Sequence, residues 1–349
     1  MTAKARDLIT SYAEDMQIFR TGVKKFWFGA LVLILAAAPW IGSALAGNYI
    51  PYLLNLAGFW VIVALGLNLL IGCAGLISLG HAAFLAVGAY TAGALAAGLD
   101  LPFWFTIPLA GLLSAGIGLV VGLPALRIKG LYLALATLAF HFIAEHVIVH
   151  WEAVTGGPNG LAVPPPVLGA FVLDTDIRFY YLTASAALFL GLGMANLMRS
   201  RFGRALVALR DSDVAAEAVG VNLARYKTLA FGISAAYAGI AGGLYAHYRG
   251  YIGPDDFTIH LSIEYIVMII LGGVGSILGS VLGAVFITLL PEALRIVEGA
   301  IREVNPQLVF PDLRMAIMGL LLILVIAFEP EGLAGRWRKI RDYWTTWPF

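Results

Sequence analysis

The sequence predicts an all-α polytopic membrane protein of about ten transmembrane segments, some broken by glycine or re-entrant, with a weak internal repeat. Three observations carry that expectation. Of 349 residues, 60% are hydrophobic and 12% are charged, about half the ~25% charged share of an ordinary soluble domain. The mean hydropathy is +0.88. Apolar runs near the ~20 residues that a helix needs to cross a bilayer recur along the whole chain. A formal net charge of +1 names no partner, because in such a chain the placement of Lys and Arg carries the information. The single cysteine, Cys73, excludes an internal disulfide and a multi-cysteine metal site.

Residues 1–25 are polar, too long and too acidic for a secretory leader, and read as a retained cytoplasmic tail. The membrane domain is expected over 26–328. Its spans are expected at Phe26–Ala46, Leu53–Ile71, Ala82–Leu99, Phe105–Leu126, Leu131–Val149, Tyr180–Met198 and Thr228–His247. Two further apolar regions are Ile263–Leu290 and Leu313–Phe328. The first is too long for one span and is interrupted by "GGVGS" at 272–276, so it either crosses twice or carries a re-entrant half.

Basic residues beside the spans set orientation. Lys24 and Lys25 put the N-terminus in the cytoplasm. Arg127, Lys129 and the cluster Arg199, Arg201, Arg204 and Arg210 then fall on the same side. So does the tail 329–349, with Arg336, Arg338, Lys339 and Arg341. The loops 150–178 and 249–262 carry one Arg each, Arg178 and Arg249, against several acids.

"IGCAGLI" at 71–77 and "LGGVGSI" at 271–277 share glycines at the same spacing. Each is followed by small residues four apart, Ala82/Ala86 and Gly279/Gly283, which let helix backbones approach closely. Glycine-interrupted segments in two halves of a transporter point to a pathway at their interface. Gly72, Gly75, Ser78, His81, Gly272 and Gly275 are therefore pathway or gating candidates. Ser78 and His81 are expected to bond the backbone groups that the break exposes. Glu264, costly to bury in a membrane, sits either at the interface or along the pathway.

In "HFIAEHVIVHW" the pairs His141/Glu145 and His146/His150 have metal-ligand spacing. They face different directions at a span boundary, where His and Trp are ordinary, so no metal site is assigned and their role stays open. "TGGPNG" at 155–160 reads as a tight surface turn. No G-x-x-x-x-G-K-[ST] loop is present, and no nucleophile–base or paired-carboxylate constellation supports catalysis.

The most informative segment is 199–227. Apolar residues at helical spacing lead to Asp211 or Ser212 as an N-cap, and a short Ala-rich helix follows and ends near Gly220. It is either an amphipathic helix on the membrane surface or a rigid docking surface for a soluble partner.

Several blocks resemble branched-chain amino acid ABC transporter permeases of the LivM type. They are "GLNLLIGCAGLISLGHAAFLAVGAYTAG" (66–93), "RIKGLYLALATLAF" (127–140), "TGGPNGL" (155–161), "GRALVALRDSDVAAEAVGVNLARYKTLAF" (203–231), "AGIAGGLYAHYRGYIGPDDF" (238–257), "SIEYIVMIILGGVGSILGSVLGA" (262–284) and "FEPEGLAG" (328–335). They run in the family's order over about residues 50–335. The resemblance implies a multi-pass subunit of a bacterial inner-membrane importer. It would pair with a second related permease and dock on two ABC ATPase subunits, which bind ATP and Mg. A periplasmic substrate-binding protein would deliver the substrate. It would bind no nucleic acid and no cofactor of its own. It also implies a coupling element in "DVAAEAVG" (213–220), carried by Ala215, Ala216, Glu217 and Gly220. The element's leading Glu is replaced by Asp213 or is absent, so Asp211, Ser212 and Asp213 complete the candidate set.

The family reading leaves two cargoes in play: branched-chain or related amino acids, or urea, short amides and small carboxylates. From other classes, a stand-alone secondary carrier or channel is the alternative. An intramembrane enzyme using the His/Glu run ranks behind it.

Overall fold

The computed structural model describes residues 22–124, 128, 130–168, 171–304, 313–329 and 331–346. The N-terminal tail to residue 21, and Arg127 and Lys129, lie outside the described residues.

Fourteen helices account for nearly all the regular structure described. The first five are α1 (Gly22–Ala46), α2 (Tyr49–Asn68), α3 (His81–Leu99), α4 (Phe103–Gly122) and α5 (Leu131–His150). A short α6 (Glu152–Thr155) leads to the long α7 (Asp176–Arg199). The segment 199–227 contributes α8 (Arg201–Asp211) and α9 (Asp213–Ala218), and α10 (Leu223–Arg249) follows. The chain ends in α11 (Ile259–Gly272), α12 (Ile277–Val304), α13 (Leu313–Phe328) and α14 (Gly332–Thr346). Two-residue strands Leu161–Ala162 and Tyr251–Ile252 pair antiparallel and tie together the two loops that carry them.

Among the described residues, eight helices are long and apolar enough to cross a membrane: α1 to α5, α7, α10 and the Ile277–Arg295 part of α12. The expected count of about ten is not reached among them: the two other apolar helices, α11 and α13, are shorter. At 14 residues, α11 is about 21 Å long, short of the ~30 Å hydrocarbon core. With 16 residues, α13 is also short of the ~20-residue requirement. The long apolar region 263–290 does turn at its glycine run, where Gly273 (φ +119°) and Gly275 (φ +80°) take backbone conformations that L side chains resist.

The core forms around α10, which packs against α2, α3 and α4. Most of α2 and α10 is buried, whereas α1 is mostly exposed and α7 mostly half-buried. Apolar exposure on the outer helices, such as Leu33 and Phe189, is what a lipid-facing surface requires. Small residues set the helix spacing. A Cβ added at Gly88 of α3 would lie 2.6 Å from the Gly239 carbonyl carbon of α10, so only glycine permits this approach. On α12, a Cβ at Gly283 would lie 2.9 Å from the Met268 carbonyl carbon of α11. The small-residue spacing of Gly279/Gly283 thus seats α11 and α12 against each other.

Candidate functional site

The two glycine motifs meet. After Asn68, α2 widens into a π-helical turn, Leu69–Cys73, and the chain then runs irregularly to the start of α3. A Cβ at Gly72 would lie 2.8 Å from Gly275 Cα and collide with Gly275 N and Asn68 Oδ1. The backbones of the two breaks are therefore in direct contact, a closeness that any side chain would prevent.

Asn68 joins them. Its Nδ2 donates to Ser276 O at 2.9 Å and to Ser280 Oγ at 2.7 Å, and its Oδ1 accepts from Gly275 N at 2.8 Å. One buried amide side chain satisfies the turn between α11 and α12, as backbone groups out of reach of water require. Thr137 of α5 accepts from Leu79 N at 2.9 Å, and Ser262 of α11 accepts from Ala82 N at 2.9 Å. Ser78 and His81, expected to do this work, do not. Both are fully buried, yet among the described residues neither Ser78 Oγ nor either ring nitrogen of His81 has a hydrogen-bond partner. The His81 ring instead packs edge-on against Phe84 at 5.9 Å. Side chains from neighbouring helices reach the exposed amides first, and no local spacing encodes that.

The π turn leaves the Gly72 carbonyl for another segment. Leu69, Leu70 and Ile71 O accept from Ala74, Leu76 and Gly75 N. Gly72 O accepts from Arg210 Nη1 at 2.8 Å. Arg210 also lies within 3.4 Å of where a Gly75 Cβ would be and 3.3 Å of where a Gly275 Cβ would be. The segment 199–227 is thereby anchored at the junction of the two breaks.

In that segment Ser200 caps α8, its Oγ accepting from Phe202 N at 3.2 Å, and Leu206 and Leu209 are buried. Ser212, not Asp211, caps α9: its Oγ accepts from Ala215 N at 3.3 Å, while Asp211 closes α8. Asp213 accepts from Lys227 Nζ at 2.9 Å, which fixes the short helix to the start of α10. Ala216 is buried. Glu217 is exposed, and so are Val214 and Val219, at 78% and 79%. Gly220 ends the unit with φ +86°, the left-handed stop that glycine supplies.

Glu264 lies elsewhere. It lines a cavity of about 560 Å³ between α2, α11, α12 and the end of α10. The cavity runs along α2 from Tyr49 to Trp60, and its nearer end is roughly 18 Å along the helix from Gly72. Glu292 and Arg295 form an ion pair of 2.6 Å on its wall, with Tyr49 donating to Glu292. Gly272 closes α11 between the two places. Asn68, Arg210 and the cavity's Trp60 and Arg249 were not singled out as site residues from the sequence. An Asn within an apolar span was the available signal for Asn68.

Among the described residues no group of three or more His, Cys, Asp or Glu side chains comes together. His141 is buried, while His146 and His150 stack at 4.0 Å on a different face. "TGGPNG" forms a tight turn, with Gly156, Gly157 and Gly160 all at positive φ. Its Thr155 and Gly157 are buried rather than on the surface.

The family model described as the branched-chain amino acid transport system permease component matches residues 49–326. The high-affinity branched-chain amino acid permease LivM of Salmonella typhimurium is 33% identical over 334 residues, covering 89% of this chain and 75% of the relative. LivM of Escherichia coli K12 has the same identity and coverage. The high-affinity branched-chain amino acid permease LivH of Escherichia coli K12 is 24% identical, covering 81% of this chain and 93% of the relative. No solved structure gives a significant match. With most of its length aligned to these permeases and its helices built for a bilayer, the chain belongs to the branched-chain amino acid transport permease family.

Proposed function

We propose that this chain is one permease subunit of a bacterial ATP-binding-cassette importer and forms half of the translocation pathway for branched-chain or related amino acids. A second related permease completes the pathway. A periplasmic binding protein delivers the substrate, and two separate ATPase subunits hold ATP and Mg. Residues 26–328 are the membrane domain, the loop 199–227 faces the cytoplasm, and 1–25 and 329–349 are cytoplasmic tails.

One observation carries the reading: the connection from α9 through Arg210 to Gly72. A six-residue helix, capped at one end and stopped at the other, displays Val214, Glu217 and Val219 to solvent. Exposed valines on so short a unit favour burial against a partner. In this reading Asp211, Ser212, Asp213, Ala215, Ala216 and Gly220 shape the helix and Glu217 meets the ATPase. Closure of the nucleotide sites pushes α9, and Arg210 carries the displacement to the glycine junction. There Gly72, Gly75, Gly272 and Gly275 let the packed helices shift between two arrangements, with Ser78 and His81 lining the moving break.

Affinity purification from a membrane extract tests this, together with uptake of labelled leucine by the reconstituted complex. The wild-type chain should retain an ATPase and transport only with ATP. Glu217→Arg should lower uptake by about tenfold or more, as a reversed charge in an interface does. Leucine uptake that persists without ATP, in a chain that never retains an ATPase, would instead identify a stand-alone carrier or channel.

A further inference from the structure

The last described helix differs from the others in what it buries. α14 packs its first turn, with Gly332, Ala334 and Gly335 buried, against α11 and α12. A Cβ at Gly332 would lie 2.8 Å from Gly273 Cα, so the helix is seated on the turn that Asn68 also holds. From Arg336 to Tyr343 every residue is exposed. Trp337, Ile340 and Tyr343 are 54%, 51% and 58% exposed. Spaced by three residues, they fall within about a third of the helix circumference. By the same spacing Lys339 and Arg341 border that stripe on its two sides. Aromatic residues between flanking cations mark a helix lying in a membrane surface.

The neighbouring helix supplies the apolar half of such a surface. α13 ends only three residues before α14 begins. It carries a single charge, Arg314, and exposes Leu320, Ile323 and Phe328. At the elbow between the two helices, Leu324, Val325, Phe328 and Leu333 line a groove of about 300 Å³, with Glu329 and Arg336 beside them.

The charge at the elbow is unbalanced. Arg336 donates to one oxygen of Glu329 at 2.8 Å, and Lys339 donates to the other at 3.4 Å. Two cations therefore share one carboxylate. Arg338 stands 3.4 Å from Glu331, and Arg341 stands 3.3 Å from the adjacent Asp342. The four basic side chains are 64%, 68%, 55% and 59% exposed, in the order just given. Ion pairs so exposed hold weakly and leave the cations open to a phosphate.

We propose that α14 lies along the membrane surface and that its elbow with α13 binds an anionic phospholipid. An acyl chain follows the apolar groove, and the phosphate meets Arg336 and Lys339. Trp337, Ile340 and Tyr343 enter the headgroup boundary. A zwitterionic lipid fits the same groove, but its own ammonium opposes the excess positive charge. Because Gly332 is seated on the Gly273 turn, a lipid at the elbow also fixes the depth of that turn in the bilayer. The proposal needs only a chain embedded in a membrane, so it stands or falls separately from the importer reading.

The test is native mass spectrometry of the full chain in detergent, titrated with phosphatidylglycerol or phosphatidylcholine of identical acyl chains. Phosphatidylglycerol should bind about tenfold or more tightly, given about fivefold for each basic residue near an anionic surface. Arg336→Gln combined with Lys339→Gln should bring the two lipids within about twofold of each other. Arg336→Lys should keep the preference. Arg178→Gln, which removes an exposed cation near the start of α7, should leave it unchanged. Excess inorganic phosphate should not displace the lipid. Each variant is read as a ratio on folded chain, so a lower yield does not alter the result. Equal binding of the two lipids by the wild type, a ratio unchanged in the double variant, an equal loss in Arg178→Gln, or displacement by phosphate would overturn the proposal. A double variant that keeps its lipid preference but no longer retains an ATPase on affinity purification would place α14 against a protein instead.

Discussion

Arg210 donates a hydrogen bond to the carbonyl oxygen of Gly72 at 2.8 Å across 138 positions of sequence. The carbonyl is available because the π turn diverts its neighbours' hydrogen bonds. The guanidinium reaches it because α8 ends beside the break. This contact joins the segment bearing α9 to the junction of the two glycine motifs.

If this chain works in the proposed importer and Arg210 transmits motion there, removing it should separate uptake from ATP hydrolysis. Arg210→Ala should reduce leucine uptake by about tenfold, the scale of one charged hydrogen bond, while ATP hydrolysis changes by less than about twofold. Arg210→Lys should recover part of the uptake. Parallel assays on one preparation check this, and an equal fall in both rates would count against a transmitting role.

Glycine content at the junction can be tested by contrast. A Cβ at Gly72 meets Gly275 and Asn68, whereas one at Gly98 on α3 meets nothing within 4 Å. Gly72→Ala should destabilise the protein by about 2 kcal/mol, the cost of overfilling a close-packed site, and should lower the unfolding temperature in detergent. Gly98→Ala should be neutral or slightly stabilising, since it stands in a helix.

The ion pair holding α9 gives a third expectation. The Lys227 side chain is 5% exposed and that of Asp213 is 19% exposed, so Asp213→Asn leaves a nearly buried ammonium without its carboxylate. A loss of about 3 kcal/mol follows from breaking such a pair at one partner. Lys227→Met together with Asp213→Asn should recover much of it. Chemical denaturation of the two variants checks the difference.

Glu329 links the end of α13 to α14. Hydrogen bonding from Arg336, at 2.8 Å, holds its carboxyl below the usual carboxylate range, and Lys339 adds to the effect. A group whose pKa is lowered by folding stabilises the fold above its unfolded pKa. That contribution is lost as pH falls through the folded value. Glu329→Gln should therefore unfold at a slightly lower temperature than wild type at pH 7, and the gap should close as pH falls below about 4. Thermal melts at the two pH values measure it.

The membrane class and most helix positions are legible in the linear order of residues. Leu131–Val149 and Leu313–Phe328 are expected where α5 and α13 stand, because an apolar run and its flanking polar residues are local properties. The helix from Asp213 is legible for the same reason: Ser212 and Gly220 act on backbone groups within a few residues of themselves. The short length of α11 is a different matter. The glycine run at 272–276 marks where the long apolar region turns, but that the helix before the turn has only 14 residues is seen in the fold.

What tertiary structure decided is which distant groups meet. The glycine motifs were visible as an echo in sequence, but their contact, and the single Asn68 amide that joins them, depend on how α2, α11 and α12 pack. Ser78 and His81 looked suited to the break by proximity along the chain, yet Thr137 and Ser262 satisfy its amides from other helices. Arg210 counted only as one basic residue among several until folding placed it at Gly72. Hydropathy and capping are properties of neighbours in sequence, whereas a hydrogen bond between a guanidinium and a freed carbonyl depends on position in space.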